Sequence, residues 1–234
     1  MFILLKLSLA HLISDFLLQF EELFLLKLKS IRGHFLHALC HVLVSLVILL
    51  PYLNDPFIWV FVFAISSIHF FQDIVKYRLM KYKKYFFLLF VGDQILHFMF
   101  LSTILFFPVS HKILGFPAFP MFNLLYTENE WTLYSIAFLI TTVTGNFLFN
   151  ALSTSCFDKT REDRFITTPE IVHGILERTV ITGLFLLSNN LVILLISPLV
   201  GIFRLFSARI RDKTDFLISF IYGALIGLLF RLWI

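Results

Sequence analysis

FILLKLSLAHLISDFLLQF, residues Phe2–Phe20, is apolar along its length yet holds His11 and Asp15 inside the run. As a helix this segment rises about 28 Å, enough to cross the hydrocarbon of a bilayer. Ionisable groups within such a span are costly in lipid and mark a site rather than a stretch of core. The signature returns downstream, with His41 near the start of the next apolar run, His69 and Asp73 in the third, and Asp93 and His97 in the fourth.

Composition agrees with a membrane protein. The hydrophobic fraction is 59%, mean hydropathy is +0.90, and 31 of 234 residues are Phe. A soluble domain sits nearer half apolar. Lipid offers the backbone no partners, so spanning segments are helices or closed barrels. The runs here are continuously apolar rather than alternating, which excludes a barrel. The net charge of +4 reflects basic loops and implies no nucleic-acid partner. Cys40 and Cys156 lie far apart without a CxxC motif, against a disulfide framework or a thiolate metal site. The opening run has no basic leader and no small-residue cleavage pattern, so it is expected to be a retained span.

The expected fold is all-α, a polytopic membrane bundle of about eight transmembrane helices. The spans fall near Phe2–Phe20, His34–Leu53, Phe57–Lys76, Tyr85–Phe107, Trp131–Leu152, Pro169–Leu187, Leu191–Phe206 and Phe216–Trp233. Pro51 to Pro56 and Ser188-Asn189-Asn190 read as tight turns. Lys27, Lys29 and Arg32 follow span one; Lys76, Arg78, Lys81, Lys83 and Lys84 follow span three. Lys159, Arg161 and Arg164 follow span five, and Arg209, Arg211 and Lys213 follow span seven. The even-numbered loops hold only Lys112, so the odd loops are expected in the cytoplasm and both the N-terminus and the C-terminus outside. Three regions follow: a four-helix polar-site module at 1–107, a Pro-rich external loop at 108–130, and a second four-helix module at 131–234. The loop contains Pro117 and Pro120 and is expected to carry a short interfacial element around Phe116 to Phe122.

His11, Asp15 and Gln19 share one stripe of span one, His37 and His41 one face of span two. His69, Asp73 and Lys76 line a face of span three, and Asp93 and His97 a face of span four, beside Gln94. Spans one and three run inward with His before Asp; span four runs outward with Asp before His. Every Asp therefore falls nearer the cytoplasm, roughly 5–12 Å below the surface, with its His about one turn deeper. Four helices thus place polar groups in one slab of the inner leaflet.

Imidazole with carboxylate suits a divalent Zn, Mn or Fe ion, and inward His and carboxylate ligands on facing helices are a known way to build such a site. The candidate metal ligands are His11, Asp15, His41, His69, Asp73, Asp93 and His97, with Asp15, Asp73 and Asp93 also the candidate catalytic carboxylates. Gln19, Lys76 and Gln94 are placed to bind substrate. The competing structural reading is that polar residues only bond helices together in lipid; Asn146 and Asn150 on span five are assigned that role. His34 is expected to be interfacial and His111 a loop residue, while the cluster from Lys76 to Lys84 serves first as a topology signal. In the second module His173 and Glu177 are one turn apart, and Arg178 follows. Glu177 is expected to pair with Arg178 or Arg204; the alternative makes Glu177 and Arg178 an extension of the site.

AHLISDFLLQ at Ala10–Gln19, HALCH at His37–His41, HFFQDIVK at His69–Lys76 and DQILH at Asp93–His97 together resemble a bacterial membrane family, domain of unknown function 3307. GILER at Gly174–Arg178 resembles its second-half signature, although Val200 stands where a basic residue would be expected before Arg204. The resemblance implies a multi-pass inner-membrane protein and supplies no activity.

The leading expectation is an intramembrane metal-dependent enzyme, a hydrolase of a lipid or lipid-linked substrate at the cytoplasmic leaflet. The alternatives are a metal-ion or proton transporter, a non-catalytic membrane assembly protein, or bis-histidine haem. No Gly- or Pro-broken helix pair is evident, which favours the enzyme over the transporter.

Overall fold

The computed structural model describes residues 2–80, 85–115, 123, 126–157, 169–202, 206 and 210–234. No strand occurs among them, and the chain is all-α. The interfacial element expected at Phe116 to Phe122, the basic residues Lys81, Lys83, Lys84, Lys159, Arg161 and Arg164, and Arg204 and Arg209 lie outside the described residues.

Helix α1 (Phe2–Leu12) runs into a π-turn at Ile13–Leu17. The turn is closed by the Leu18 N–H donating to the Ile13 carbonyl at 2.9 Å. The chain then bends by 84° into α2 (Glu21–Lys29). Span one therefore ends at Leu17 instead of running straight through Phe20, and the basic stretch read as a loop is a helix. Its charges suit its own dipole, with Glu21 and Glu22 in the first turn and Lys27 and Lys29 in the last. Ser30, with φ −156°, separates α2 from α3 (Ile31–Ile48). At Gly33 a Cβ would lie 2.7 Å from the Lys27 Cα, so only glycine lets the two helices meet this closely.

The turn expected after α3 is present as a 3₁₀ segment, Leu50–Tyr52. Asp55 caps α4 (Pro56–Leu79) by accepting from the Phe57 N–H at 3.0 Å, with Pro56 in the first turn. Helix α5 (Phe86–Ser102) continues as a 3₁₀ turn to Phe106. Next come α6 (Asn129–Leu139), a second π-turn (Ile140–Thr144), α7 (Gly145–Phe157), α8 (Pro169–Leu187), α9 (Leu191–Ile196) and α10 (Ile210–Arg231). The turn at Ser188–Asn190 is confirmed, with Asn190 capping α9 through the Val192 N–H at 2.9 Å.

Four described helices are long and apolar enough to cross a membrane: Ile31–Ile48, Pro56–Leu79, Phe86–Phe106 and Asn129–Leu152. The bent α1–α2 pair makes five if it is one span. This is fewer than the eight expected. One reason is that the apolar stretch after Asn190, Leu191–Gly201, is short and passes from α9 into a 3₁₀ turn. Large apolar side chains cover the outer faces of the long helices, among them Val60, Phe63, Phe71, Leu88 and Met99. Such a surface matches hydrocarbon and not water.

The chain forms two compact units, Met1–Thr132 with Leu148–Glu162, and Leu133–Phe147 with Asp163–Ile234. In the first, α3 packs on α1, α2 and α4, and α5 packs on α1 and α4. One end of this bundle is an apolar core of Ile3, Leu7, Val42, Leu49, Ile58, Val62, Leu101 and Ile104. Tyr52 closes it, fully buried, donating to the Lys112 carbonyl at 3.0 Å and accepting from the Leu114 N–H at 3.1 Å. In the second unit α8 and α10 pack together at small residues; a Cβ on Gly227 would lie 2.7 Å from the Phe185 Cβ.

Candidate metal centre

The apolar core ends where the polar faces of the same helices begin. Asp15 sits inside the π-turn of α1, a local rewinding that recurs at functional sites. Its carboxylate is 6% exposed and gathers imidazoles from two other helices. His41 and His37 of α3 donate through Nε2 to Asp15 Oδ1 at 2.8 and 3.1 Å. His69 Nε2 of α4 stands 3.5 Å from the same oxygen. On Oδ2, His11 Nε2 lies at 3.5 Å and the Gln94 amide donates at 3.4 Å. The rings of His41 and His69 are 3.9 Å apart, those of His69 and His97 4.4 Å, and those of His11 and His97 4.8 Å.

Five buried imidazoles thus surround one carboxylate. Two sets of donor atoms lie within 4.8 Å of one another: His11, Asp15, His41 and His69, and Asp15, Asp93 and His97. A four-coordinate ion with bonds of about 2.1 Å spaces its ligand atoms about 3.4 Å apart, so these separations fit a metal. Asp15 is common to both sets.

Proton bookkeeping points the same way. His97 donates through Nε2 to Asp93 Oδ1 at 3.1 Å. His69 Nδ1 lies 3.3 Å from His97 Nδ1, so one of the two rings donates to the other. His69 Nε2 faces the Asp15 carboxylate at 3.5 Å and has no hydrogen-bond partner among the described residues. A buried ring nitrogen without a partner, opposite a carboxylate, is a place where a cation would satisfy both groups. A cavity of about 20 Å³, lined by His11, His41, His69 and His97, adjoins the cluster and has room for one water or ion.

The other expected residues divide into two groups. Asp93 accepts from Lys76 Nζ at 2.6 Å and from the Gln94 amide at 3.2 Å. Gln94 also accepts from His11 Nε2 at 3.3 Å, so it bridges Asp93, Asp15 and His11. Asp73 stands outside both metal sets. Its Oδ2 accepts from Lys27 Nζ at 3.0 Å and from His34 Nδ1 at 2.8 Å. Gln19 accepts from Lys27 at 3.0 Å. His34, expected at the interface, is buried, and Lys27, expected in a loop, is 3% exposed. The bend after Leu17 is the cause, because it folds α2 back against α3.

Sequence reasoning under-used His37, although its spacing with His41 was visible, and it missed Gln72, Ser45 and Ser66 on the cavity wall. It also missed Lys6, 2% exposed and 5.6 Å from the Tyr126 ring centre.

Residues 3–116 match the family described as Protein of unknown function (DUF3307). Over this first half, the chain belongs to that family. The DUF3307 segment contains every residue of the imidazole cluster. No curated protein and no solved structure matches the chain.

Glu177 and Arg178 fall in the second unit, both buried. Arg178 Nε donates to the Thr141 carbonyl at 2.9 Å and Tyr222 donates to the Ile140 carbonyl at 3.0 Å. Both acceptors belong to the second π-turn, whose backbone groups lose regular helical partners, so these side chains supply replacements. Glu177 lies 3.9 Å from the exposed ring of His173.

Proposed function

We propose that the protein is an intramembrane metal-dependent hydrolase of a lipid or lipid-linked substrate, working at the cytoplasmic leaflet of a bacterial inner membrane. The observation that carries this reading is the unpartnered His69 Nε2 opposite Asp15, within a set of imidazoles and carboxylates from α1, α3, α4 and α5. His11, Asp15, His41, His69, Asp93 and His97 would hold a divalent Zn, Mn or Fe ion, which supplies Lewis acidity at neutral pH. Asp93, gripped by Lys76, Gln94 and His97, would take a proton from the attacking water and return it to the leaving oxygen as the ester bond breaks. The Lys76 side chain is 22% exposed and can meet an anionic group while holding Asp93 in place. Asp73, tied to Lys27 and His34, fixes α2 and α4 around the site. The arrangement proposed for the bilayer has both termini outside, and a reporter fused at each terminus tests it.

Elemental analysis of the detergent-purified protein tests the metal. The expected result is stoichiometric divalent metal, lost in His11→Ala and in His97→Ala. Purified protein that holds none, and takes up none on addition of Zn²⁺ or Mn²⁺, would end the reading. Release of a water-soluble headgroup from lipid extract, abolished in Asp93→Asn, tests the hydrolysis.

One feature favours a second reading, a metal-ion transporter. The α1–α2 pair is broken by 84° beside Asp15, and broken helices line ion sites in transporters. Metal uptake into proteoliposomes, lost in Asp15→Ala, with no hydrolysis of any lipid, would select it.

A further inference from the structure

Beside the metal cluster, on the other side of the Lys27–Asp73 pair, lies a cavity of about 310 Å³. Its wall includes Lys27, Lys29, His34, Tyr77 and Arg78, and no acidic residue lines it among the described residues. The volume is that of a small-molecule site. Three cations and an imidazole surround one concavity, and Asp73, bonded to Lys27 and His34 from behind the wall, offsets only part of their charge; this describes an anion receptor. We propose that this pocket binds a phosphate group, the headgroup phosphate of the substrate.

Lys27 is the inner anchor. Its ammonium has three N–H donors, and Asp73 and Gln19 take two, each at 3.0 Å. Tyr77 holds the stem in place, its ring centre 4.9 Å from Nζ and 5.0 Å from the His34 ring. Lys29 and Arg78, both exposed, form the outer rim. Arg presents a planar fork that matches phosphate oxygens in pairs.

The pocket sits where a lipid phosphate belongs. Helix α2 turns 84° away from α1 and exposes Leu25 and Leu28, with Phe20 and Ile31 at its two ends. An apolar face beside lysines on a helix lying across the span direction is the design of an interfacial element. The geometry also links the pocket to the cluster. His34 is three residues from His37 on α3, and Asp73 four residues from His69 on α4, so about 4.5 Å and about 6 Å separate the pairs along their helices. A phosphate held by Lys27, Lys29 and Arg78 therefore brings its neighbouring ester bonds toward the imidazoles. Phosphate recognition stands on the pocket alone; its role as the substrate's site rests on the hydrolase reading.

The test uses the full chain in phosphatidylcholine nanodiscs, titrated with inorganic phosphate and, separately, with short-chain phosphatidic acid. Metal content is measured on the same samples. Wild-type protein is expected to bind phosphatidic acid saturably. Lys29→Gln/Arg78→Gln, two exposed positions outside the cluster, is expected to weaken it at least tenfold with metal content unchanged. Phosphatidic acid binding without inorganic phosphate binding identifies a lipid headgroup; binding of both identifies a site for phosphate itself. If neither ligand saturates, or the double variant binds as wild type does, the proposal is overturned. Anion binding that survives in a protein holding no metal keeps the phosphate site and removes the hydrolase.

Discussion

At one end of the first unit, α1, α3, α4 and α5 supply Ile3, Leu7, Val42, Leu49, Ile58, Val62, Leu101 and Ile104 to a closed apolar core. One to three turns further along the same helices stand His11, Asp15, His37, His41, His69, Asp73, Asp93 and His97, all buried. The two ends share their backbone and differ in what holds them. Apolar contacts carry no direction, so the first end is held by close packing alone. The second end is held by directional bonds to a few oxygens, and there a shift of one residue would leave charged groups unpaired. The polar end therefore sets the register, and the apolar end fills space around it.

Removing the clasp on α2 should have the largest effect. Asp73→Ala leaves Lys27 and His34 buried without their carboxylate and is expected to cost about 3–5 kcal/mol in reversible denaturation. Lys27→Met/Asp73→Leu, which replaces the ion pair by apolar side chains, is expected to recover most of it. A cost for Asp73→Ala no larger than that of an apolar substitution would break the contrast between the ends. Next, Asp15→Ala should weaken metal binding about 100-fold or more, measured by chelator competition, because both donor sets lose their common member. At the apolar end Ile58→Ala is expected to lower stability by about 2–3 kcal/mol through the cavity it leaves, with metal content unchanged. The smallest effect belongs to Tyr52→Phe, about 1–2 kcal/mol, for the bonds lost to Lys112 and Leu114. A metal content that fell in either apolar-end variant would show that the two ends are not separable.

Much of the polar end was legible because helical spacing is rigid. His11 and Asp15, His69 and Asp73, and Asp93 and His97 stand one turn apart in sequence, and a helix must put each pair on one face. Convergence followed from the alternating direction of the spans. The partners of Asp73 were not legible. They depend on the bend after Leu17, and Leu18-Gln19-Phe20 contains neither Gly nor Pro to announce it. With α2 read as a loop, Lys27 was assigned to water and His34 to the interface, whereas the bend buries both. The eight apolar runs were legible as helices, but length and composition support four or five crossings among the described residues. Buried charges in α8 and the brevity of α9 belong to packing that a hydropathy pattern does not encode.

The absent side chain at Gly33 acts as a spacer of zero thickness between α2 and α3. A methyl group there would wedge the surface helix outward, draw the Lys27 ammonium off its carboxylate, and unseat the floor of the basic pocket while leaving all five rings of the cluster in place. One hydrogen in place of a carbon thus couples the shape of the basic pocket to the tilt of a helix.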